Sequence, residues 1–204
     1  MHPDPAFALD EEAARRIAAD LAFAYVFIVR PDRPVVVHAP VEMDGPNALV
    51  FHVARRNHAL PIADGACALA SFAAPGSYVS PDWYVADQQV PTWNYVAVEA
   101  EGCLAAIDDA ALARHLDALS HAHEARLAPK PPWTTDKMEP RRLDAMRAAI
   151  VGFRLDVTAW RGTAKLSQNK PAADVMGVVA GLRSAGDLPM AERVRHANRD
   201  RLHG

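Results

Sequence analysis

The 204-residue sequence lacks most of the short motifs that identify a catalytic centre or a bound nucleotide. It has no glycine-rich phosphate loop, no nucleophile elbow, no paired CxxC motif and no HExxH motif. It has only two cysteines, Cys67 and Cys103, and both lie in apolar stretches, which predicts buried reduced thiols rather than a disulfide or a pair of metal ligands. The sequence therefore gives no sign of the common hydrolase, nucleotide-binding or zinc-binding classes.

An excess of one charge and long apolar runs are also missing. The formal net charge is −3, which provides no general attraction to nucleic acid or to an anionic membrane. No window approaches the ~18 consecutive apolar residues of a membrane helix, and the first residues lack a basic region followed by an apolar core. We expect a cytoplasmic protein with no membrane segment.

Aromatic residues make up only 7% of the chain, but they are crowded between Ser77 and Tyr95, in SYVSPDWYVADQQVPTWNY. Three of the four tyrosines and two of the four tryptophans lie there. Such a cluster suits a corner of the core, a subunit interface or a pocket for a planar ligand, and the residues alone do not choose among the three. Pro81 and Pro91 indicate strand starts, edges or loops, because proline cannot donate to a sheet.

Periodic segments predict strands first and helices later. A helix capped by Asp10 is followed by apolar runs typical of strands at 22–29, 34–41, 48–54, 66–73 and 94–107. The first two runs are predicted to form a hairpin, because the turn residues 30–33 separate them. The second half predicts helices at 108–126, 140–149, 171–186 and 190–201, the first of them capped by Asp108 or Asp109. It also predicts strands at 150–160 and 163–169, separated at Arg161-Gly162. Many short-linked strands predict a mainly β, α+β fold of the Greek-key or split-barrel kind. We expect one domain over 1–204, with helical additions at 108–149 and 171–204.

Two polar clusters are candidates for binding an anion or capping a helix. The first follows a predicted strand, where free amides and an arginine fork suit a phosphate, although an ordinary exposed loop would look the same; it comprises His52, Arg55, Arg56, Asn57 and His58. In the second, KLSQNKP, Lys165 and Ser167 are expected on one strand face, and Asn169 is expected to cap a helix that begins at Pro171.

Five motifs occur in a fixed order across nearly the whole chain: HVARRN, SYVSPDWY, VPTWNY, IVGF and KLSQNKP. In this combination the sequence resembles the PaiB-type family, described as FMN-binding negative transcriptional regulators. The resemblance implies a split β-barrel related to flavin-binding oxidases, assembled as a homodimer with FMN in a cleft between subunits. A flavin-dependent oxidoreductase of unknown substrate and a haem-binding split-barrel protein are the alternatives. Direct DNA binding is not expected, because no helix-turn-helix is recognisable.

The resemblance also implies which residues bind the cofactor. They lie in the second strand, in the segment after the third strand, in the two aromatic motifs and in KLSQN: His38, His52, Arg55, Asn57, Tyr78, Ser80, Trp83, Thr92, Trp93, Asn94, Lys165, Ser167 and Gln168. No residue is nominated as catalytic, and no metal site is expected. The sequence departs from the usual family pattern at Val37, Phe51, His58, Ala73 and Ala74.

Overall fold

The structure is a computed structural model that describes residues 1–202. The helices are α1 (Glu11–Leu21), α2 (Asp109–Ala125), α3 (Pro140–Ala148), α4 (Ala172–Ser184), α5 (Leu188–Ala197) and α6 (Arg199–Leu202). The strands are β1 (Ala8–Leu9), β2 (Phe23–Val29), β3 (Pro34–Met43), β4 (Ala48–Ala54), β5 (Cys67–Ala73), β6 (Ser77–Val79), β7 (Thr92–Ala106) and β8 (Ile150–Lys165). The last two residues of the predicted helical addition at 171–204 lie outside the described residues.

Eight strands form one sheet in the order β1-β8-β4-β3-β2-β5-β7-β6, with an additional pairing between β7 and β8. That pairing joins the two ends of the run from β8 to β7, so six strands close into a barrel. The protein is therefore an α+β split barrel with additional C-terminal helices, as predicted.

The chain divides into two compact units, which we name by their content. The barrel unit comprises residues 15–72 and 99–160, and the helical unit comprises residues 1–14, 73–98 and those from Arg161 onward. The expected single domain over 1–204 stays a prediction.

Alternating side chains build the core of the barrel unit. In β2 every second residue is buried, including Val26 and Ile28, and β2 pairs with β3 over its whole length, which confirms the predicted hairpin. Strands β7 and β8 approach so closely at Gly102 that a Cβ there would lie 2.0 Å from the carbonyl oxygen of Asp156. Only glycine permits this approach, which lets the barrel close.

Helices α4 and α5 pack together in the helical unit. Their contact faces are apolar at helical spacing and consist of Val175, Val178, Val179, Leu182, Met190, Ala191 and Val194. Gly186 follows α4 with a φ of +83°, which suits the left-handed end of a helix. Among residues 1–202, no helix combines the length and the apolar content needed to cross a bilayer.

Several local predictions are wrong near the end of β8. The strand continues through Arg161-Gly162, because Gly162 pairs with Leu9 of β1 and its missing side chain leaves room for the Leu9 side chain. The strand then ends at Lys165, so Lys165 and Ser167 do not share a strand face. Asn169 does not cap α4, because Pro171 occupies the N-cap position without a side-chain hydrogen bond.

The predicted C-terminal helix and the predicted burial of the two cysteines are also wrong. The single helix expected at 190–201 is interrupted at Asn198, which ends α5 before α6 begins. Cys67 and Cys103 are exposed free thiols, because both occupy outward positions of their strands.

Candidate functional site

The KLSQN motif of the helical unit forms a tight turn whose polar groups bind the protein itself. Ser167 has a φ of +65° and is buried, and its Oγ accepts a hydrogen bond from Nδ2 of Asn94 at 3.1 Å. Both polar atoms of the Gln168 side chain bond to the backbone. Oε1 accepts from the Leu166 amide at 2.7 Å, and Nε2 donates to the Ala164 carbonyl at 2.6 Å. These amides stabilise the turn.

Two side chains from the end of the chain also hold this turn. Nδ2 of Asn198, which is buried, donates to the carbonyl oxygens of Leu166 at 2.9 Å and of Val194 at 2.8 Å. The guanidinium of Arg201 donates to the carbonyl oxygen of Lys170 at 2.7 Å. A ligand would therefore meet a turn whose shape is already fixed.

Lys165 lies at the start of the same turn. Its Nζ donates to Oγ1 of Thr92 and lies 6.0 Å from the centre of the Phe7 ring. Burial, and then the charge of Lys170, lower the pKa of the Lys165 amine. The resemblance implied both Thr92 and Lys165 as cofactor-binding residues, and the structure joins them by a hydrogen bond.

The first aromatic motif is divided between packing and exposure. Ser80 caps the short 3-10 helix Pro81–Trp83, with its Oγ accepting from the Asp82 amide at 3.2 Å. Trp83 then packs on α4, because a Cβ at Gly181 would lie 2.2 Å from the Trp83 ring. Trp83 therefore packs against α4, and Ser80 stabilises the short helix that carries it.

Tyr78 and Trp93 are the exposed rings of the helical unit. They face each other across β6 and β7, with ring centres 6.2 Å apart in an edge-to-face arrangement. Tyr78 is 48% exposed and Trp93 is 55% exposed. Two large exposed rings held by a sheet offer apolar surface on which a planar ligand can pack.

Tyr84 lies in a polar cluster of the helical unit with Asp174 and Lys170. The Asp174 carboxylate is buried and accepts from the amides of Val85 at 2.8 Å and Ala86 at 3.1 Å, while Nζ of Lys170 lies 4.7 Å from the centre of the Tyr84 ring. Burial, and then the charge of Asp174, raise the pKa of the Tyr84 hydroxyl. This cluster anchors the segment after Trp83 to α4.

The arginine segment of the barrel unit leaves several donors available. Nε of Arg55 donates to the Ala148 carbonyl at 2.7 Å, and the side-chain oxygen of Asn57 accepts from the Ala59 amide at 2.9 Å. Arg55 and Asn57 line a cavity of about 600 Å³, together with Arg56, Leu60, Pro61, Ile62, Ala106, Val151 and Phe153. The cavity combines cationic donors with an apolar wall.

The segment that follows β4 is a turn rather than the start of a helix. No helix begins between β4 and β5, and residues 55–66 form turns. Any anion there would be held by side chains and isolated amides rather than by a helix N-terminus.

His52 belongs to a chain of three titratable side chains in the barrel unit. Its Nδ1 lies 3.1 Å from Nε2 of His115, and Nδ1 of His115 lies 2.9 Å from Oε2 of Glu42. When Glu42 is ionised, His115 donates to it and accepts from His52, so Nε2 of His52 carries no proton. The chain therefore fixes the tautomer and orientation of His52.

Burial governs the ionisation of this chain. It lowers the pKa of His115 to about 4, since this ring is only 4% exposed. Burial, and then His115, lower the pKa of His52, whereas burial, and then Asp44, raise the pKa of Glu42. Both histidines are neutral at pH 7.

His38 and two of the departures from the family pattern lie on opposite faces of the barrel wall. His38 is exposed and contacts the Tyr25 ring edge-to-face, with ring centres 4.9 Å apart. Val37 and Phe51 are buried core residues, and Phe51 stacks on Phe153. The substitutions at Val37 and Phe51 therefore alter the barrel core.

Residues 1–159 match the model of the family described as "Putative FMN-binding domain". The chain belongs to this family. It is also 29% identical over 186 residues to the protease synthase and sporulation protein PAI 2 of Bacillus subtilis (strain 168), covering 89% of this chain and 87% of that protein. The predicted membership of the PaiB-type family is thereby confirmed.

Solved structures of similar fold support the barrel. The FAD and heme binding protein from Mycobacterium smegmatis matches with a TM-score of 0.54 and 22% identity, over 77% of this chain and 71% of that one. A conserved hypothetical protein from Mycobacterium tuberculosis matches with a TM-score of 0.57 and 12% identity, over 84% and 94% of the two chains. At these identities the likeness concerns the fold alone.

The thirteen implied site residues divide between the two units. His38, His52, Arg55 and Asn57 lie in the barrel unit, and the other nine lie in the helical unit. Direct partners are Thr92 with Lys165, Asn94 with Ser167 and Tyr78 with Trp93. Sequence reasoning missed Glu42 and His115, because only the fold brings them to His52 and no short motif links them.

Proposed function

We propose that this protein is an FMN-binding negative transcriptional regulator of the PaiB type. The observation that carries the proposal is the family match over residues 1–159. It is supported by the relative from Bacillus subtilis, which aligns over most of both chains. The regulatory role itself rests on the family resemblance.

The arginine cavity fits the phosphate of FMN. Arg55, Arg56 and Asn57 line it, and guanidinium and amide groups donate hydrogen bonds to phosphate oxygens. Ile62 and Phe153 add apolar wall that suits the rest of a flavin. When bound, FMN supplies a ring system that accepts and donates electrons.

Five site residues of the helical unit have two kinds of proposed role. Tyr78 and Trp93 offer exposed rings to the flavin. Asn94, Ser167 and Gln168 act indirectly, because their side chains hold the turn at the end of β8. Their loss should disturb binding by deforming the turn.

A homodimer is the proposed assembly, and the outer face of β2 supports it. The large apolar side chains of Phe23, Tyr25, Phe27 and Val29 all point outward there, with exposures of 48%, 41%, 46% and 65%. A continuous row of this kind is typical of a surface covered by another subunit. Light scattering tests this proposal: Phe27→Ser should shift the protein from dimer to monomer, and a wild-type monomer at tens of micromolar would refute it.

An FMN titration tests the cofactor proposal. We expect the purified protein to quench flavin fluorescence at micromolar concentration, a binding free energy of about −8 kcal/mol. Absence of binding at a hundredfold higher FMN concentration would refute the flavin role. Bleaching of the bound flavin by a nicotinamide donor would favour the oxidoreductase alternative, and a haem absorbance band on haem addition would favour the haem-binding alternative.

The route of regulation is a separate proposal. The net charge of −3 argues against direct DNA binding, so we propose that regulation acts through a partner or through the ligand state. A gel-shift assay at physiological salt should show only weak, sequence-independent retention, and a sequence-specific shift would refute this route. A cytoplasmic location is likewise proposed, and cell fractionation tests it.

A further inference from the structure

Two exposed cysteines face each other across neighbouring strands of the barrel unit. Strands β5 and β7 are neighbours in the sheet, and the Leu104 amide donates to the Ala66 carbonyl at 2.9 Å. At the other end of the pair, the Ala74 amide donates to the Val96 carbonyl at 3.1 Å. Both bonds join residues whose numbers sum to 170, so this antiparallel register places Cys67 directly opposite Cys103.

The position within the ladder decides how close the two side chains lie. Both backbone groups of Leu104 are bonded to the other strand here, since its amide donates to the Ala66 carbonyl and its carbonyl accepts from the Gly65 amide at 2.7 Å. The next pair along the strands is therefore a non-hydrogen-bonded one. In such a pair the Cα atoms lie about 4.5 Å apart and the side chains are at their closest. A disulfide needs Cα atoms about 4.4–6.8 Å apart, a range that includes the usual spacing of such a pair.

Both thiols point away from the barrel core. Their neighbours Ala68, Gly102 and Leu104 are buried, whereas Cys67 and Cys103 are exposed. A small oxidant in solution can therefore reach the pair.

We propose that Cys67 and Cys103 form a reversible redox pair that a hydroperoxide oxidises to an intrachain disulfide. One thiolate attacks the peroxide, and its sulfur becomes a sulfenic acid while the O–O bond breaks and water (or an alcohol) leaves. The second thiol then attacks that sulfur, the S–S bond forms and a second water leaves. Two electrons pass from the two sulfurs to the peroxide, and a dithiol reductant reverses the reaction.

Intact mass and thiol counting test the proposal on the full-length reduced protein treated with hydrogen peroxide. We expect the thiol count to fall from two to none, the mass to fall by two hydrogen atoms, and dithiothreitol to reverse both changes. Trypsin leaves both cysteines in one peptide, since no lysine or arginine lies between Asn57 and Ala113, so digestion must cut at acidic residues such as Asp82 and Asp87. The crosslinked pair of peptides should then contain Cys67 and Cys103.

Single substitutions show whether the two cysteines react as a pair or as two independent thiols. In Cys67→Ser and in Cys103→Ser, the remaining cysteine should stop at a sulfenic acid that dimedone traps, whereas the wild type should trap little. Oxidation should also raise the melting temperature of the wild type but of neither variant, because only the wild type gains a link between two strands. Oxygen addition to both cysteines of the wild type, or a link between two chains, would overturn the proposal.

Discussion

The turn from Lys165 to Lys170 and the turn from Arg55 to Asn57 carry similar polar side chains, and the family resemblance implied both as cofactor sites. The first is held by Asn94, Gln168 and Asn198, whose amides all bond to the protein. The second lines an open cavity with its cationic and amide groups. Two turns that both belong to the family motifs therefore need not have the same role.

The difference follows from burial. Ser167 is 5% exposed and Asn198 is 1% exposed, so their polar atoms must find protein partners. Arg55 and Arg56 are exposed and remain hydrated until a ligand arrives. We infer that the Lys165 turn stabilises the fold and that the Arg55 turn binds the ligand. Substitutions at Asn198, Arg55 and Ser167 test this division.

The largest expected effect is on stability, from the Lys165 turn. Asn198→Ala removes the donor for the carbonyls of Leu166 and Val194 and leaves both without that partner in a buried place. We expect the free energy of unfolding to fall by about 3 kcal/mol, measured by urea denaturation. Asn169→Ala is the matched control, because Asn169 lies in the same turn but is exposed, and it should change stability by less than about 0.5 kcal/mol. Equal effects of both substitutions would contradict the division.

The barrel unit, which contains the Arg55 turn, also has a group that makes its stability depend on pH, the buried His115. His115 has a pKa near 4 in the folded protein and about 6.5 when unfolded, so the unfolded chain binds more protons between these values. Stability should therefore fall as pH drops from about 6.5 to 4, by about 3 kcal/mol from this group.

Urea denaturation at several pH values measures this loss. His115→Gln should remove that part of the pH dependence, so the stability difference between wild type and variant should shrink as the solution is acidified. His58→Gln is the control, because His58 is exposed, and it should keep the wild-type slope. An unchanged slope in His115→Gln would show that His115 is not buried in its neutral form.

Ligand affinity tests the Arg55 turn directly. Arg55→Ala should weaken FMN binding by about 1.5–3 kcal/mol, roughly 10- to 150-fold, because a charged hydrogen bond to phosphate is lost. Fluorescence titration measures the affinity, and the melting temperature should change little, since Arg55 is exposed. Arg141→Ala, an exposed arginine of α3, is the control. Unchanged affinity in Arg55→Ala would remove this residue from the site.

Local signals in the sequence predicted much of the fold. The helix caps at Asp10 and Asp108 are confirmed, each with its carboxylate accepting an amide three residues on at 2.7 Å, because capping depends on neighbouring residues only. The hairpin of β2 and β3 is likewise confirmed.

Features that depend on contacts between residues far apart in sequence were predicted wrongly or missed. Gly162 was interpreted as a break, but its pairing with Leu9, about 150 positions earlier, keeps β8 continuous. The contact of His52 with His115 likewise joins residues that are 63 positions apart in sequence. The apolar surroundings of Cys67 in the sequence did not reveal that its own side chain points outward, since strand neighbours face opposite sides.

The smallest expected effect concerns backbone strain at Ser167. Its φ of +65° lies in the left-handed region, which costs a residue with a Cβ about 1–2 kcal/mol and costs glycine nothing. Ser167→Gly and Ser167→Ala both remove the hydroxyl that accepts from Asn94, so their difference isolates the backbone. Glycine also loses about 0.4–1 kcal/mol more through its freer unfolded chain. Ser167→Gly should therefore be more stable than Ser167→Ala by about 0.5–1 kcal/mol in urea denaturation. If alanine were equally stable, the turn would relax without cost and would not be the rigid support that its buried hydrogen bonds indicate.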